Sequence, residues 1–317
     1  MLGAVLSLAL IACSTKGDDS AGRRTTTIPP STAAPVPTTP EGRAAIPNPD
    51  DPLDATTAPV SSDVLVNVEA VTFRSEGATV GARVSMPKLT PAGHPCVVLV
   101  HGLGGSKQDS AATWNAFALA GIGTIAIDAR NHGDRKPDDF LAVMGTATGF
   151  AETLRGTAID ARQALDYLET RPECDPNRLG YLGVSMGALI GTLVAGTDER
   201  VKSPVFFAGG GDWRTILETS DNEALDRIRE EPGGIDAAVA VLDPLDPVRF
   251  VPTITPRPML MLDGDADRTI PPAAARAMFD AAGEPKRIEW WKGGHGPEGL
   301  EAIRMLGIVT DWFTSRL

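Results

Sequence analysis

From residue 64 onward, short apolar runs alternate with longer segments that have the composition of helices. Residues 64–73 and 78–86 alternate apolar and polar side chains around a Ser-Glu-Gly turn, which predicts an antiparallel hairpin. The later apolar runs predict buried strands at 96–100, 122–128 and 179–184, with helices at 111–120, 151–169 and 188–195. This alternation predicts an α/β fold in which a mostly parallel central sheet has helices on both faces and a site at the carboxyl ends of its strands.

The sequence Gly-Val-Ser-Met-Gly at 183–187 lies where the third of these strands meets its helix. In a nucleophile elbow, the turn from strand to helix is so tight that glycines must flank the serine. Ser185 would then project at a helix N-terminus, where backbone N–H groups and the helix dipole favour negative charge on a substrate oxygen. The pattern predicts that Ser185 is the nucleophile of a serine hydrolase.

A serine nucleophile needs a histidine base and a carboxylate, and proteins with such an elbow carry them in the chain order Ser, Asp, His. Of the four histidines, only His295 follows the serine, and it lies in a glycine-rich turn. The acid is expected after the predicted strand 259–262. Asp267 is the first candidate and Asp265 the second, while Asp263 is expected to end the strand or cap the turn.

A second glycine-rich loop, His-Gly-Leu-Gly-Gly-Ser at 101–106, follows the strand 96–100. Glycines let the backbone approach a substrate closely, so the N–H of Leu103 is expected to join the N–H of Met186 in binding the oxyanion. His101 is an alternative base, but the chain order favours a role in packing and orienting the loop.

The motifs at 101–104, 183–187, 264–267 and 294–296 together resemble those of the α/β-hydrolases. Within that superfamily, the chain is similar to bacterial esterases of the dienelactone hydrolase type and to the prolyl oligopeptidase catalytic domain. The resemblance covers residues 64–317 and implies an α/β-hydrolase fold, no cofactor, and the roles given above for Ser185, Asp267, His295, Leu103 and Met186. Dienelactone hydrolases proper use a cysteine nucleophile, so the serine argues against that lactone activity.

The α/β alternation breaks between residues 209 and 257, which we interpret as a small cap inserted over the active site. Because caps of the resembled family determine substrate choice, Trp213 and Met186 are candidate walls of the pocket. Ordinary packing of Trp213 on the sheet is the alternative.

The loop 128–135 resembles the family's Asp-x-Arg-x-His-Gly segment and is interpreted as a salt-bridged brace of the pocket. No metal site is predicted, because metal-ligand spacings such as His-Glu-x-x-His or Cys-x-x-Cys are missing.

The N-terminus has the features of an export signal. Residues 1–12 form an apolar run too short to span a bilayer, which needs ~20 apolar residues. The run ends in Leu-Ile-Ala-Cys, which looks like the lipobox of bacterial lipoproteins, so we predict a signal peptide at 1–12 and lipidation of Cys13. A buried N-terminal strand or helix is the alternative. The Thr- and Pro-rich segment 13–60 is predicted to be a disordered tether, which leaves 61–317 as the catalytic domain.

Charge and cysteine content narrow the class of protein further. The formal net charge of −12 and the lack of a basic stripe argue against a nucleic-acid partner. With Cys13 lipidated, Cys96 and Cys174 remain as an even pair in an oxidising compartment. The resembled fold places their strands side by side, which leaves a disulfide open.

The sequence therefore predicts an exported, lipid-anchored serine esterase of the cell envelope. It would cleave a small-molecule or polymer ester through an acyl-enzyme on Ser185, and its membrane contact would be the lipid on Cys13. Two alternatives remain: a serine peptidase or amidase of the prolyl oligopeptidase type, and a non-catalytic surface binding protein on a hydrolase scaffold.

Overall fold

The computed structural model describes residues 46–47 and 52–317. Within them, nine strands form one sheet: β1 (Thr56–Ser62), β2 (Val66–Ser75), β3 (Ala78–Pro87), β4 (His94–Val100), β5 (Gly123–Ile127), β6 (Cys174–Val184), β7 (Val201–Phe207), β8 (Met259–Gly264) and β9 (Lys286–Trp291). Their order across the sheet is β1-β2-β3-β5-β4-β6-β7-β8-β9. The pairs β1–β2, β2–β3 and β3–β5 are antiparallel, and all the other neighbouring pairs are parallel. The predicted hairpin and the predicted parallel strands are all present.

Helices cover both faces of the sheet. They are α1 (Ala111–Leu119), α2 (Phe140–Met144), α3 (Ala147–Glu169), α4 (Met186–Thr197), α5 (Trp213–Thr219), α6 (Glu223–Arg229), α7 (Gly234–Leu242), α8 (Pro247–Phe250), α9 (Pro272–Ala281) and α10 (Gly299–Arg316). Buried side chains of α1 and α10 form one core with the sheet, and those of α3, α4, α9 and the helices α5 to α8 form the other. None of the helices in the described residues is long and apolar enough to cross a membrane.

Strand β4 shows why the central strands have continuous apolar sequences. All seven of its residues are buried, and successive side chains of a strand point to opposite faces of the sheet. Val97 and Leu99 therefore enter the core under α1 and α10, while Val98 and Val100 enter the core under α3 and α4. A strand covered on both faces needs apolar residues at every position, so it loses the alternation seen in β2.

The segment predicted as a cap is helical and joins the main core. Helices α5 to α8, with short 3₁₀ turns at Asp243–Leu245 and Val251–Ile254, connect β7 to β8. Their buried side chains belong to the same apolar cluster as α3 and α4. The insertion is thus a packed part of the domain.

The sheet extends further toward the N-terminus than the predicted domain boundary at residue 61. The strand β1 begins at Thr56, inside the segment 13–60 assigned to the tether, and pairs antiparallel with β2. Every side chain of β1 is exposed, so its composition resembles that of a tether even though its backbone is in the sheet. Ile46 is also buried in the core, where the guanidinium of Arg162 donates to the carbonyls of Ile46 and Pro47. The predicted signal peptide 1–12 and Cys13 lie outside the described residues.

Cys96 and Cys174 form a disulfide with a Cα–Cα distance of 5.7 Å. It joins the start of β4 to the start of β6, the strand that leads to Ser185, and so realises the pairing that the sequence left open. His94 lies beside it, with Nδ1 3.7 Å from Cys96 Sγ. In the described part of the chain, His94, Cys96 and Cys174 lie close enough together to bind a metal ion. Both cysteine sulfurs are bonded to each other in the disulfide, however, so neither is a thiolate that could act as a ligand.

Candidate active site

Ser185 occupies the predicted elbow between β6 and α4. Its backbone has φ 55° and ψ −117°, a region that non-glycine residues rarely adopt. The flanking glycines are required by contact: a Cβ on Gly183 would lie 2.0 Å from the Gly187 carbonyl oxygen, and one on Gly187 would lie 2.2 Å from that of Val100. The strained serine and its two glycines therefore form one unit, which holds Oγ at the start of a helix.

The three residues predicted as a triad lie in one hydrogen-bonded chain. His295 Nε2 is 2.7 Å from Ser185 Oγ, and His295 Nδ1 is 2.7 Å from Asp267 Oδ2. The Asp267 side chain is 1% exposed, whereas that of His295 is 31% exposed. The carboxylate is thus shielded from water, while the imidazole is partly exposed to it.

Backbone donors fix the orientation of the acid. Asp267 Oδ1 accepts hydrogen bonds from the N–H groups of Thr269 at 2.8 Å and Ile270 at 3.0 Å. Its other oxygen is left for His295. With Nδ1–H donating to the carboxylate, Nε2 carries the lone pair that faces the serine.

The second candidate acid has a different role. Asp265 accepts from Lys292 Nζ at 2.5 Å and from the N–H of Gly293 at 3.1 Å, and these contacts lower the pKa of its carboxyl. It therefore holds the loop that carries His295 without touching the imidazole. Between Asp265 and Asp267, the structure places Asp267 at the histidine.

Asp263 is the last-but-one residue of β8 and is fully enclosed. Among the described residues, neither of its carboxyl oxygens has a hydrogen-bond partner of normal geometry. Burial, with the charge of Asp267 nearby, raises the pKa of this carboxyl well above its usual value. The expected strand-end position is correct, but Asp263 does not cap the turn.

The predicted oxyanion loop lies directly against the serine. A Cβ on Gly102 would sit 3.2 Å from Ser185 Cβ and 3.8 Å from its Oγ. Leu103, the next residue, is half-buried and packs against the larger core. Met186 is the first residue of α4, where a backbone N–H has no partner within the helix. The two expected oxyanion donors therefore come from segments that meet at Ser185.

His101 orients this loop, as the chain order indicated. Its Nε2 accepts from the N–H of Ala129 at 3.0 Å, so its proton is on Nδ1, which donates to the Gly102 carbonyl at 2.7 Å. Burial lowers the pKa of His101, which keeps this neutral form. The ring of His132 packs on the ring of His101, with 5.3 Å between the ring centroids. Burial lowers the pKa of His132 to about 4.

Trp213 is closed off from solvent and does not line an open pocket. It is 1% exposed and packs edge-on against Phe150 with ring centroids 5.8 Å apart. Its backbone N–H donates to Asp246 at the start of α5. The prediction of Trp213 as a substrate-contacting residue is wrong for this conformation, because the cap packs its indole into the core, which was the alternative interpretation.

Sequence reasoning missed Lys107 and only partly described the loop 128–135. Lys107 is buried, and its Nζ lies 2.6 Å from Asp128 Oδ2 and 2.6 Å from Asp134 Oδ2. Arg130 and Arg135 pair with the buried Asp160, each at 2.8 Å. The expected salt bridges of this loop are present. What the sequence did not predict is that Lys107 links the loop to the oxyanion loop. A lysine just after a glycine-rich loop, with an aspartate ending the neighbouring strand, is the signal that could have identified it.

Residues 53–304, more than half of the chain, match the family model described as acetyl xylan esterase (AXE1). The chain belongs to this family. It is accordingly a carboxylic ester hydrolase with the α/β-hydrolase fold. The esterase YjfP of Escherichia coli is 22% identical over 61% of this chain and 76% of its own length. The protein YtaP of Bacillus subtilis is 28% identical over 58% of this chain and 64% of its own, so the match spans less than two thirds of that relative.

Solved structures support the same fold. The crystal structure of acetyl xylan esterase 1 from Thermoanaerobacterium sp. has a TM-score of 0.72 and 20% identity, covering 90% of this chain and 95% of that one. An acylaminoacyl peptidase of Pyrococcus horikoshii has a TM-score of 0.65 and 19% identity, covering 80% of this chain and 42% of that one. Both likenesses support the α/β-hydrolase fold that the motifs predicted.

Proposed function

We propose that this family member is a serine esterase that removes short acyl groups, acetyl foremost, through an acyl-enzyme on Ser185. The observation that carries the proposal is the hydrogen-bonded chain from Ser185 Oγ through His295 to Asp267, with both contacts at 2.7 Å. Such a chain activates a hydroxyl that is otherwise a weak nucleophile.

In the first step, Ser185 Oγ attacks the ester carbonyl carbon while its proton passes to Nε2 of His295. The carbonyl electron pair moves onto oxygen, and the N–H groups of Leu103 and Met186 donate to this oxyanion. The tetrahedral intermediate collapses as the alcohol oxygen leaves with the proton from Nε2. A water molecule then repeats the attack on the acyl-enzyme and releases the acid.

The substrate class comes from the family relationship. The family model is that of acetyl xylan esterases, and two similar solved structures, from Thermoanaerobacterium sp. and Paenibacillus sp., bear that name. We infer that the substrate of this chain is an acetyl ester on a hydroxyl-rich, carbohydrate-like alcohol.

The test uses the full chain and a fluorophosphonate probe, which forms a covalent bond with an activated serine. We expect the probe to label the wild type but not Ser185→Ala. The matched control is Ser203→Ala, which changes a buried serine on β7 and should be labelled to the same extent as the wild type. Rates on p-nitrophenyl esters should fall from acetate to octanoate. Labelling that persists in Ser185→Ala would refute the assignment of the nucleophile, and a folded wild type that takes no label would favour a non-catalytic binding role.

An amidase or peptidase activity is the second candidate, since an acylaminoacyl peptidase is among the similar structures. The same triad cleaves amides when the site protonates the leaving amine. Comparing p-nitrophenyl acetate with N-acetylalanine p-nitroanilide separates the two activities. Turnover of the anilide within about tenfold of the ester would favour the peptidase, because each factor of ten reflects only about 1.4 kcal/mol in the barrier.

We also propose that the protein is exported and anchored by lipid on Cys13. The lipobox-like sequence before Cys13 supports export, and so does the Cys96–Cys174 disulfide, since disulfides persist in oxidising compartments. Metabolic labelling with a palmitate analogue should mark the full chain and not Cys13→Ala. Equal labelling of both proteins would rule out this anchor.

A further inference from the structure

The oxyanion loop, residues 101–106, is attached at its first residue to the segment that follows β5. His101 Nε2 accepts from the N–H of Ala129, and His101 Nδ1–H donates to the Gly102 carbonyl. Within the loop, the N–H of Gly105 donates to the same carbonyl at 3.1 Å. These contacts fix where the loop begins and how it turns.

The residue that follows the loop carries a stronger attachment to the same segment. Lys107 donates its backbone N–H to Asp128 Oδ1 at 2.8 Å and its ammonium to Asp128 Oδ2 at 2.6 Å. Asp128 Oδ2 also accepts from the N–H of Asp134 at 3.0 Å. The Asp128 side chain is fully buried and that of Lys107 is 5% exposed, so this pair is shielded from water and salt.

The surrounding backbone is shaped for this ion pair. Gly133 has φ 52°, and a Cβ there would lie 2.1 Å from Asp128 Cγ. The contacts with Lys107 and the backbone N–H groups lower the pKa of Asp128 although burial alone would raise it. The carboxylate therefore stays charged and keeps its hold on the lysine.

We propose that the Lys107–Asp128 pair positions the oxyanion loop, so that the N–H of Leu103 faces the developing oxyanion. This rests on the proposed function, in which Leu103 is an oxyanion donor. Leu103 lies between His101 and Lys107, and both of these residues are hydrogen-bonded to the segment that follows β5. Strand β4 leads into the oxyanion loop and β5 leads into that segment, and the two strands are paired at Val100 and Ile127. Lys107 and Asp128 are positioning residues and do not touch the substrate.

Lys107→Met in the full chain removes the ammonium and keeps the backbone N–H. A displaced oxyanion donor weakens the transition state more than the ground state. We expect kcat/KM for p-nitrophenyl acetate to fall roughly tenfold to a hundredfold, as for a catalytic group misplaced by about 1 Å. Inhibition by a short trifluoromethyl ketone, which forms a tetrahedral oxyanion on serine, should weaken by the same factor. Inhibition by the corresponding methyl ketone should not change.

The matched control is Arg162→Met, which breaks another buried ion pair, that of Arg162 with Asp198, away from the loop. Its melting temperature should fall while the ratio of the two ketone affinities stays at the wild-type value. If Lys107→Met does not fold, the double variant Lys107→Met/Asp128→Asn leaves no unpaired buried charge and should show the same loss of ketone discrimination.

Three results would overturn the proposal: equal weakening of both ketones, wild-type discrimination in a folded Lys107→Met or in the double variant, or a loss of discrimination in Arg162→Met as large as that in Lys107→Met. A wild-type chain without Ser185-dependent fluorophosphonate labelling would instead refute the proposed function, and the positioning role with it. The labelling experiment therefore distinguishes the two failures.

Discussion

Replacing Asp267 by asparagine tests the triad at the point where the structure is most specific. In the wild type, Oδ1 accepts from the N–H groups of Thr269 and Ile270, and Oδ2 faces His295. An asparagine must turn its carbonyl oxygen toward the two N–H donors, so its NH₂ group faces Nδ1 of His295. That arrangement forces the imidazole proton onto Nε2, where it blocks transfer of the serine proton.

The expected loss in kcat is about four orders of magnitude, as for the tautomer-fixing carboxylate of serine proteases. At about 1.4 kcal/mol per factor of ten, this corresponds to roughly 5.5 kcal/mol of transition-state stabilisation. The melting temperature should change little, because asparagine keeps both backbone hydrogen bonds of Asp267. Hydrolysis of p-nitrophenyl acetate and thermal unfolding measure the two quantities.

Asp265→Asn is the matched control, because it changes an aspartate on the same turn that contacts Lys292 and Gly293 and not His295. Its kcat should stay within about tenfold of wild type, since Asp265 touches the histidine loop only through an exposed ion pair with Lys292 and one hydrogen bond from the Gly293 N–H. If Asp267→Asn keeps wild-type kcat, or if Asp265→Asn shows the larger loss, the assignment of the acid is refuted.

Three further predictions concern stability and specificity. Reducing the Cys96–Cys174 disulfide, which spans 78 residues of sequence, should lower the free energy of unfolding by about 2–5 kcal/mol in denaturant titrations, and no change would mean that it is not formed. Trp213→Phe should leave the acyl chain-length preference unchanged, and a shifted preference would place Trp213 in the pocket. Asp263→Asn should raise the melting temperature at neutral pH. Because its folded-state pKa is raised, the contribution of Asp263 to folding is fully present below its unfolded pKa of about 3.9 and is lost as pH rises through the folded-state pKa, so the gain from asparagine should shrink as pH falls toward 3.9. A gain that grows on acidification would contradict this sign.

The sequence predicted those parts of the fold in which a short stretch of residues is compatible with only one local structure. The elbow is such a case, since Gly183 and Gly187 leave no room for a side chain. The buried strands are another, because a strand covered on both faces has a continuous apolar sequence. Strand β1 lacks such a pattern: its side chains are all exposed, so only its backbone pairing with β2 identifies it.

The remaining features depend on partners that are distant in sequence. Lys107 and Asp128 meet because β4 and β5 are neighbours in the sheet, and neither residue alone indicates a buried ion pair. Composition likewise could not distinguish a core tryptophan from a pocket tryptophan at position 213. The choice followed from how α5 packs on Phe150.

The turn after β8 shows how neighbouring aspartates acquire different chemistry from their surroundings. Asp263 is buried without a hydrogen-bond partner of normal geometry in the described residues, and burial raises its pKa. Asp265 lies at the surface with Lys292, which lowers its pKa. Only Asp267 combines two backbone donors with a free oxygen aimed at His295. A carboxylate that orients a histidine must be both held and available, and on this turn only the position of Asp267 meets both conditions.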